Sequence, residues 1–460
     1  MGADWSTDPP PSYGIELRLS EVLSALSHAL DITEGQPRGH AERSCLIGMR
    51  LVQAIGLDEA TSSSAFYALL LKDAGCSSNA ARVSALFGAD DATVKSTRRL
   101  TDTSRTTEAL AHLLRTASPG GSPISKARHV GAVLRSGREG ARSLVALRCE
   151  RGADVVRGIG LGDVAAQGII DGDEHWDGSG YPRGISGDAI SPVGRIICLA
   201  QTAEVYWQHG GPTAATEIGR KRRGSWFDPA LVDELVALEH DEGFWGSLRI
   251  PSVSALEPAD RVVVADDERL DRVAQAFARV VDAKSPYTAR HSSGVAEIAV
   301  SLATLLAIDP DALATVRRAA LLHDIGKLGV SNRILDKRDG LTDQEWAVMR
   351  AHPRWSLEIL TRVPAFHDLA RIAAAHHERL DGSGYFAGLT ARELDPASRL
   401  LAVADVAEAL SANRPYRPAL GPDEVLSIMG RDAGRSLDGD AFAALGEVLP
   451  AWSPRVLTPQ

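Results

Sequence analysis

Seven side chains that could bind metal ions follow one another along the second half of the chain. Five are histidines and two are aspartates: His291, His323, Asp324, His352, His376, His377 and Asp405. Imidazole nitrogens combined with a few carboxylate oxygens are the ligands expected of a site that holds two transition-metal ions. Adjacent residues on a helix project about 100° apart, so a His-Asp or His-His step can present both side chains to one metal cluster. The sequence therefore predicts two divalent transition-metal ions in this half.

Two positions in this half also suit direct phosphate chemistry. Asp324 has two carboxylate oxygens and is the natural bridge between two ions. Lys327 follows three residues later and lies on the same helical face, where its ammonium can meet a phosphate or the charge that develops on it. We therefore predict catalytic roles for Asp324 and Lys327, and contact between Lys327 and the substrate.

Other polar residues have simpler interpretations. A single histidine on an amphipathic helix is usually an ordinary core or surface residue, and we interpret the following in this way: His28, His112, His129, His175, His209, His240 and His367. Asp381 precedes a glycine, and Asp-Gly is favoured in tight turns, so we predict a turn residue there rather than a metal ligand.

The elements that must position these side chains are predicted to be helices. Segments such as ELRLSEVLSALSHAL and RLDRVAQAFARVVDA repeat apolar residues at intervals of three and four, and alternating β-branched runs are scarce. Hydrophobic residues make up 44% and charged residues 24% of the 460-residue chain, as in soluble globular proteins. We predict an all-α fold, large enough for two domains.

An internal repeat divides the chain into two copies of one helical domain. EHWDGSGYPRG is echoed by ERLDGSGYFAG at an offset of 204 residues, and LLKDAG is echoed by LLHDIG at an offset of 251. The two offsets differ by 47 residues, which places an insertion near residues 79–135 of the first copy. We predict a flexible tail at 1–14, a first copy at 15–255, a linker or connecting helix at 256–280 and a metal-binding copy at 281–460.

The first copy has lost most of the candidate ligands. At the two offsets, His323, Lys327, His376, His377 and Asp405 correspond to Lys72, Cys76, Gly172, Asp173 and Gln201, and His352 falls at about Glu150. Only His40 and Asp73 are unchanged, and a lysine at the position of His323 repels metal ions. We expect no dinuclear centre in this copy, which keeps the loop Gly180-Tyr181-Pro182, and instead a regulatory, ligand-sensing or packing role.

The second copy resembles a known family. The segments HDIGKLGV, HHERLDGSGY, VADVAEAL and NRPYRPA follow one another between Val281 and Phe442 in the order found in the HD-GYP branch of the HD phosphohydrolase superfamily. The resemblance implies that the seven candidate ligands hold two ions, usually iron or manganese, bridged by Asp324 and a hydroxide. That hydroxide would attack a phosphorus of a cyclic dinucleotide, most readily cyclic di-GMP, to give a linear dinucleotide and then mononucleotides.

The resemblance also suggests substrate contacts. Arg414 and Arg417 occupy positions where the family places phosphate-binding cations, and a guanidinium group suits bidentate phosphate binding. Tyr385 could contact the substrate from its loop. The sequence departs from the family in two places: the GYP motif reads Gly384-Tyr385-Phe386, and Tyr287 stands where some members carry a carboxylate for a third metal. We therefore predict two ions, not three.

Composition limits the partners and the location. A net charge of −10 provides no global positive field for long nucleic acids. No run of 18 apolar residues indicates a membrane span, and the four cysteines form no C-x-x-C pair. We expect a cytoplasmic protein with a cyclic dinucleotide as substrate. It could form a homodimer or pair its two copies within one chain, and it could bind signalling proteins.

Three functions remain open from the sequence. The first is a phosphodiesterase of cyclic dinucleotides, which the complete ligand set and Lys327 favour. The second is another HD-type phosphohydrolase that acts on a nucleotide or phosphate ester. The third is a non-catalytic cyclic-dinucleotide receptor or protein-interaction module, which the altered GYP motif and the degenerate first copy favour.

Overall fold

The computed structural model describes residues 17–102, 105–257, 262–413 and 417–452. Within these ranges the chain is helical, with isolated β-bridges and no β-strand, so the predicted all-α fold is confirmed. In the same ranges, no helix combines the length and hydrophobicity needed to cross a bilayer. The predicted flexible tail and Arg414 lie outside the described residues.

The first half of the chain contributes helices α1 to α11. Their bounds are α1 (Leu19–Thr33), α2 (His40–Ile55), α3 (Glu59–Leu71), α4 (Ala80–Phe87), α5 (Asp91–Arg99), α6 (Thr106–Thr116), α7 (Pro123–Ile159), α8 (Asp163–Asp171), α9 (Pro192–Lys221), α10 (Pro229–Ala237) and α11 (Glu242–Ser247). Helix α7 bends at Gly137 and α9 bends at Gly210 and Gly211, where the backbone leaves helical angles. The insertion predicted near 79–135 contains α4, α5, α6 and the beginning of α7.

The second half contributes helices α12 to α21. Their bounds are α12 (Asp267–Asp282), α13 (His291–Leu305), α14 (Pro310–Leu322), α15 (Asn332–Leu335), α16 (Asp343–Met349), α17 (His352–Leu360), α18 (His367–Ala374), α19 (Pro396–Ser411), α20 (Pro422–Met429) and α21 (Gly439–Val448). Short 3₁₀ helices interrupt both halves at Cys76–Asn79, Gly187–Ala189, Ser254–Leu256, Ile325–Gly329 and Pro364–Phe366.

Corresponding helices begin in the same way in the two halves. Helix α9 begins with Pro192 after Ser191, whose hydroxyl accepts the backbone N–H of Gly194. Helix α19 begins with Pro396 after Asp395, whose carboxylate accepts an N–H two residues into the helix. A polar N-cap followed by proline at the first helical position is a strong helix start, because proline lacks the N–H that would remain unpaired there.

Buried carboxylates fix equivalent helices in both halves. Asp31 accepts two backbone N–H groups at the start of α2, at 2.7 and 2.9 Å. Asp282 accepts the backbone N–H and the hydroxyl of Ser292 at the start of α13, at 3.2 and 2.7 Å. The offset between Asp31 and Asp282 is again 251 residues, so the repeat extends to α1 and α12.

The two halves pack closely against each other. Helix α1 contacts the 3₁₀ helix Ile325–Gly329 and α17 of the second half, while α12 contacts α7 and the 3₁₀ helix Cys76–Asn79 of the first half. One cluster of buried apolar side chains runs through both halves. Each half therefore completes its core with the first helix of the other, and α12 is a packing element rather than a loose connection.

Candidate metal centre

Helix ends position most of the seven candidate ligands. His291 and His352 are the first residues of α13 and α17. His323 and Asp324 follow the last residue of α14 and precede a 3₁₀ helix. The remaining three lie at the end of the α18 segment and inside α19: His376, His377 and Asp405. Five separate helical segments thus point their side chains to one place.

Asp324 lies at the centre of the cluster. Its Oδ2 atom is 3.3 Å from Nε2 of His291 and 3.3 Å from Nε2 of His323. Its Oδ1 atom is 3.2 Å from Nε2 of His352 and 3.6 Å from Nε2 of His376. The two oxygens of one carboxylate therefore face two different groups of imidazoles, as a bridging ligand must.

Asp405 and His377 complete the arrangement. Asp405 Oδ1 lies 3.4 Å from Nε2 of His291, and its Oδ2 lies 3.7 Å from Nδ1 of His377. The ligand atoms form two compact groups, in each of which all atoms lie within 4.8 Å of one another: His291, His323 and Asp324, and His352, His376 and His377. The structure brings all seven residues together, and six are buried while His377 is 18% exposed.

Hydrogen bonds behind the imidazoles orient their free nitrogens. The Nδ1 atoms of His323, His352 and His376 lie 2.7, 2.7 and 2.5 Å from the carbonyl oxygen three residues earlier. Nδ1 of His291 bonds instead to the carboxylate of Glu408. A partner at Nδ1 fixes the tautomer, so that Nε2 of each ring presents its lone pair to the centre.

Charge in the cluster suits cation binding. Burial lowers the pKa of His352, and burial together with neighbouring imidazoles lowers the pKa of His376 and His377 well below the usual value, so these rings are neutral ligands. Burial alone would raise the pKa of Asp324. The charge of Lys327 and the imidazoles of His323 and His291 nevertheless hold that pKa well below its ordinary value, so the carboxylate is ionised.

Two buried atoms at the centre make no hydrogen bond with any described residue: Nε2 of His323 and Oδ1 of Asp324. A buried polar atom left without a partner costs about 1–3 kcal/mol. Both atoms are electron-pair donors in a set of imidazole and carboxylate donors, which is the ligand chemistry that iron, manganese and zinc accept. The residues present therefore fit a pair of transition-metal ions.

Of the predicted substrate-contact residues that the structure describes, Lys327 and Tyr385 lie at the metal cluster and Arg417 bonds to the backbone. Nζ of Lys327 lies 2.6 Å from Oδ2 of Asp324, inside the cluster. The ring of Tyr385 lies 4.7 Å from that of His377, and the guanidinium of Arg350 lies 5.7 Å from the same tyrosine ring. Arg350 was not among the sequence candidates, although it stands two residues before a predicted ligand. Arg417 donates to three backbone carbonyls at 2.7 to 2.9 Å, at the end of α19 and in the segment after it.

Cations occupy the equivalent place in the first half. Lys72 bonds to Asp73, whose other oxygen lies 3.3 Å from the guanidinium of Arg99. Arg99 also lies 2.9 Å from Glu34. The trio Glu34, Asp73 and Cys76 has metal-ligand spacing, but two of these residues are already paired with protein cations. Lys72 and Arg99 thus place two positive charges against Asp73, the counterpart of Asp324.

The equivalence of His352 to Glu150 was wrong. A Cβ atom added to Gly326 would meet the carbonyl oxygen of His352, and one added to Gly75 would meet that of Arg148, so Arg148 is the counterpart of His352. Glu150 is exposed. Arg148 also lies at the offset of 204 residues from His352, so the repeat itself indicates this pairing.

Comparisons with known proteins find similarity in both halves of the chain. A family model described as an HD domain matches residues 138–231 and 275–441, one segment in each half. The chain is 42% identical to 3'3'-cGAMP-specific phosphodiesterase 3 of Vibrio cholerae, over 94% of each protein. It is 34% identical to the cyclic di-GMP phosphodiesterase response regulator RpfG of Xanthomonas campestris, over 39% of this chain and 48% of that protein. A crystal structure of a cyclic GMP-AMP specific phosphodiesterase of V. cholerae superposes with a TM-score of 0.62 at 36% identity, covering 94% of this chain and 98% of that one.

Proposed function

This chain belongs to the HD domain family, and from that premise we propose that it is a metal-dependent phosphodiesterase that hydrolyses a cyclic dinucleotide. The observation that carries the proposal is the position of Asp324, whose two oxygens face two separate groups of imidazoles within 3.6 Å. A lone His-Asp pair occurs in many helices, whereas a buried carboxylate between two imidazole groups has few purposes other than holding two cations.

We propose that the seven clustered residues hold two divalent transition-metal ions, with iron or manganese as the first candidates. When bound, such a pair supplies an activated water at neutral pH and neutralises negative charge on a reacting phosphate. The protein holds the ligands ready through the bonds behind four of the five imidazoles, so little reorganisation is needed on binding. Glu408 positions His291 in this way through its bond to Nδ1.

Lys327 and Tyr385 are the proposed substrate contacts within the described part of the site. The ammonium of Lys327, anchored on Asp324 at 2.6 Å, can donate a second hydrogen bond to a phosphate oxygen as negative charge grows on it. Tyr385, beside His377 at the partly exposed edge of the cluster, offers a ring against which a base can stack. Arg414 remains a proposed phosphate ligand on sequence grounds. Since Arg417 donates to three backbone carbonyls, we propose that it orders this segment.

We propose 3'3'-cGAMP as the first substrate to test. The reason is coverage: the relative named for that substrate aligns with 94% of this chain, and therefore with most of each half. Cyclic di-GMP is the second candidate, because the relative named for it aligns with 39% of this chain. Both substrates present the same phosphodiester to the metal cluster, so selectivity must come from contacts with the bases.

The test is a substrate comparison with the full-length, metal-replete protein. 3'3'-cGAMP, cyclic di-GMP, cyclic di-AMP and a mononucleotide phosphate ester are incubated separately, and the products are separated by chromatography. Hydrolysis of a cyclic dinucleotide to a linear, 5'-phosphorylated dinucleotide is the expected result. Hydrolysis of the mononucleotide ester alone would favour a different phosphohydrolase, and tight binding of all cyclic dinucleotides without turnover would favour a receptor.

A further inference from the structure

A second pocket lies in the first half, away from the metal cluster. Its lining includes Arg98, Arg99 and Arg148 together with the aromatic residues Tyr181 and Trp226. Its volume is about 70 Å³, which is room for several water molecules, since about 10–15 Å³ of such volume holds one. The space suits one tetrahedral oxyanion, and the partly exposed side chains around it leave one side open to solvent.

The pocket carries more positive than negative charge. Arg99 lies 2.9 Å from Glu34, and Arg148 is bonded to Asp173, so these two cations are paired. The guanidinium of Arg98 makes no hydrogen bond or ion pair with the residues that the structure describes. Burial and the adjacent guanidinium groups of Arg148 and Arg99 lower the pKa of Arg98 to about 10, which still leaves it charged at neutral pH. One cation therefore faces the pocket uncompensated and beside two others.

Further N–H donors next to the pocket also lack acceptors. Arg222 is 2% exposed, and its Nε and Nη1 atoms make no hydrogen bond within the described ranges. Its guanidinium lies 3.7 Å from the ring centroid of Trp226, whose buried Nε1 atom is likewise without an acceptor. Buried donors without acceptors are rare in folded proteins and call for an explanation such as a bound anion.

We propose that this pocket binds the terminal phosphate of a nucleotide, a phosphomonoester held by Arg98, Arg99 and Arg148. A phosphomonoester carries a charge of about −1.5 to −2 at neutral pH and three acceptor oxygens, which match several guanidinium forks. The phosphates of a cyclic dinucleotide are diesters inside a ring, and the space accommodates a chain end better. The nucleoside would lie against Tyr181, because His175 stacks on the Trp226 ring and Arg222 lies over it. The linear dinucleotide released by the second half has such an end, and this choice of ligand rests on the proposed function.

Binding is measured on the full-length chain after metal removal with a chelator, in buffer free of phosphate and sulfate. GMP, guanosine, inorganic phosphate and the 5'-phosphorylated linear GMP-AMP dinucleotide are titrated by calorimetry. We expect GMP and the linear dinucleotide to bind and guanosine not to bind. Because stripped protein has no turnover, the result does not depend on whether the second half is a phosphodiesterase. Equal binding of GMP and guanosine would overturn the proposal.

Variants locate the site. Arg98→Gln should weaken GMP binding at least tenfold, whereas Arg138→Gln, which removes an exposed cation from α7, should leave it unchanged. Asp324→Ala should also leave it unchanged, because the pocket is in the other half. Removing an unpaired cation should raise the Tm of Arg98→Gln in phosphate-free buffer, and GMP should raise the Tm of the wild type but not of this variant. Unaltered affinity in Arg98→Gln, or loss of binding in Asp324→Ala, would refute the pocket.

Discussion

Replacing Gly326 by alanine tests how the metal cluster is assembled. Gly326 lies in the 3₁₀ helix that follows Asp324, directly against the start of α17. Its backbone N–H donates to the hydroxyl of Ser356 at 2.9 Å, and this hydroxyl donates to the carbonyl oxygen of His323 at 2.7 Å. A side chain at this position would therefore disturb the segment that carries His323 and the helix that carries His352.

The expected size follows from the contact distances. A Cβ atom at Gly326 would lie 2.0 Å from the carbonyl oxygen of His352, where an ordinary contact begins at 3.4 Å, so the two backbones must separate by about 1.4 Å. Overpacking of this kind typically costs about 1–3 kcal/mol of folding free energy. A displacement of about 1 Å at a reacting centre can lower a rate by about 10²-fold. We expect lower stability, lost metal and at least that loss of turnover.

The first half provides a matched control. Gly75 is the counterpart of Gly326, and its Cβ would lie 1.8 Å from the carbonyl oxygen of Arg148. Gly75→Ala should lose a similar amount of stability while metal content and turnover per folded molecule stay at the wild-type level. Urea unfolding, metal analysis and turnover of 3'3'-cGAMP are measured for both variants. Normal metal content and turnover in Gly326→Ala, or an equal loss in Gly75→Ala, would refute the account of the cluster.

Three further predictions concern single side chains. Glu408→Gln should weaken metal affinity by about 10–100-fold in a chelator competition, because it removes the bond that orients His291. Glu204→Gln, at the counterpart position in the first half, should leave metal affinity unchanged. Equal effects of the two substitutions would contradict the positioning role of Glu408. Lys327→Ala should lower kcat by about 10²–10³-fold with metal content unchanged, and a change confined to KM would argue against charge stabilisation. Burial lowers the pKa of His175 to about 4 in the folded chain, below the unfolded value of 6.5, so the unfolded state binds more protons as pH falls. Between pH 7 and pH 5 this histidine should therefore remove about 2 kcal/mol of stability, so the free energy of unfolding in urea should fall by that much more in the wild type than in His175→Gln; identical pH dependence in the two proteins would refute the assignment.

The members of the metal cluster could be predicted from the sequence, because metal binding depends on residue types. Histidines and aspartates in a helical repeat can be recognised without coordinates, and the HD-domain resemblance they suggested is confirmed by the family match. Glu408 was missed, although the repeat held a signal: Glu204 and Glu408 lie at the same offset of 204 residues in otherwise diverged copies. A residue kept while its neighbours change has a structural reason, here the bond to the first imidazole of each half.

Other features could not be predicted because they depend on how distant segments meet. Arg98 and Arg99 lie on α5, inside the insertion, so no counterpart in the second half indicates their purpose. The packing of α12 against α7 likewise depends on the three-dimensional arrangement of the halves. Periodicity alone predicted only that α12 connects the two copies. Spacing along the chain predicts which residues share a helical face, but not which faces meet.

Metal content measured together with turnover shows whether the seven clustered side chains form a catalytic centre with two metal ions. The wild type and Asp324→Ala are purified without oxygen, metal per chain is determined by mass spectrometry, and hydrolysis of the cyclic dinucleotides is followed by chromatography. We expect about two transition-metal ions per chain and measurable turnover in the wild type. A folded Asp324→Ala protein should lose both the metal and the turnover. An Asp324→Ala protein that retains its metal and its turnover would contradict this expectation.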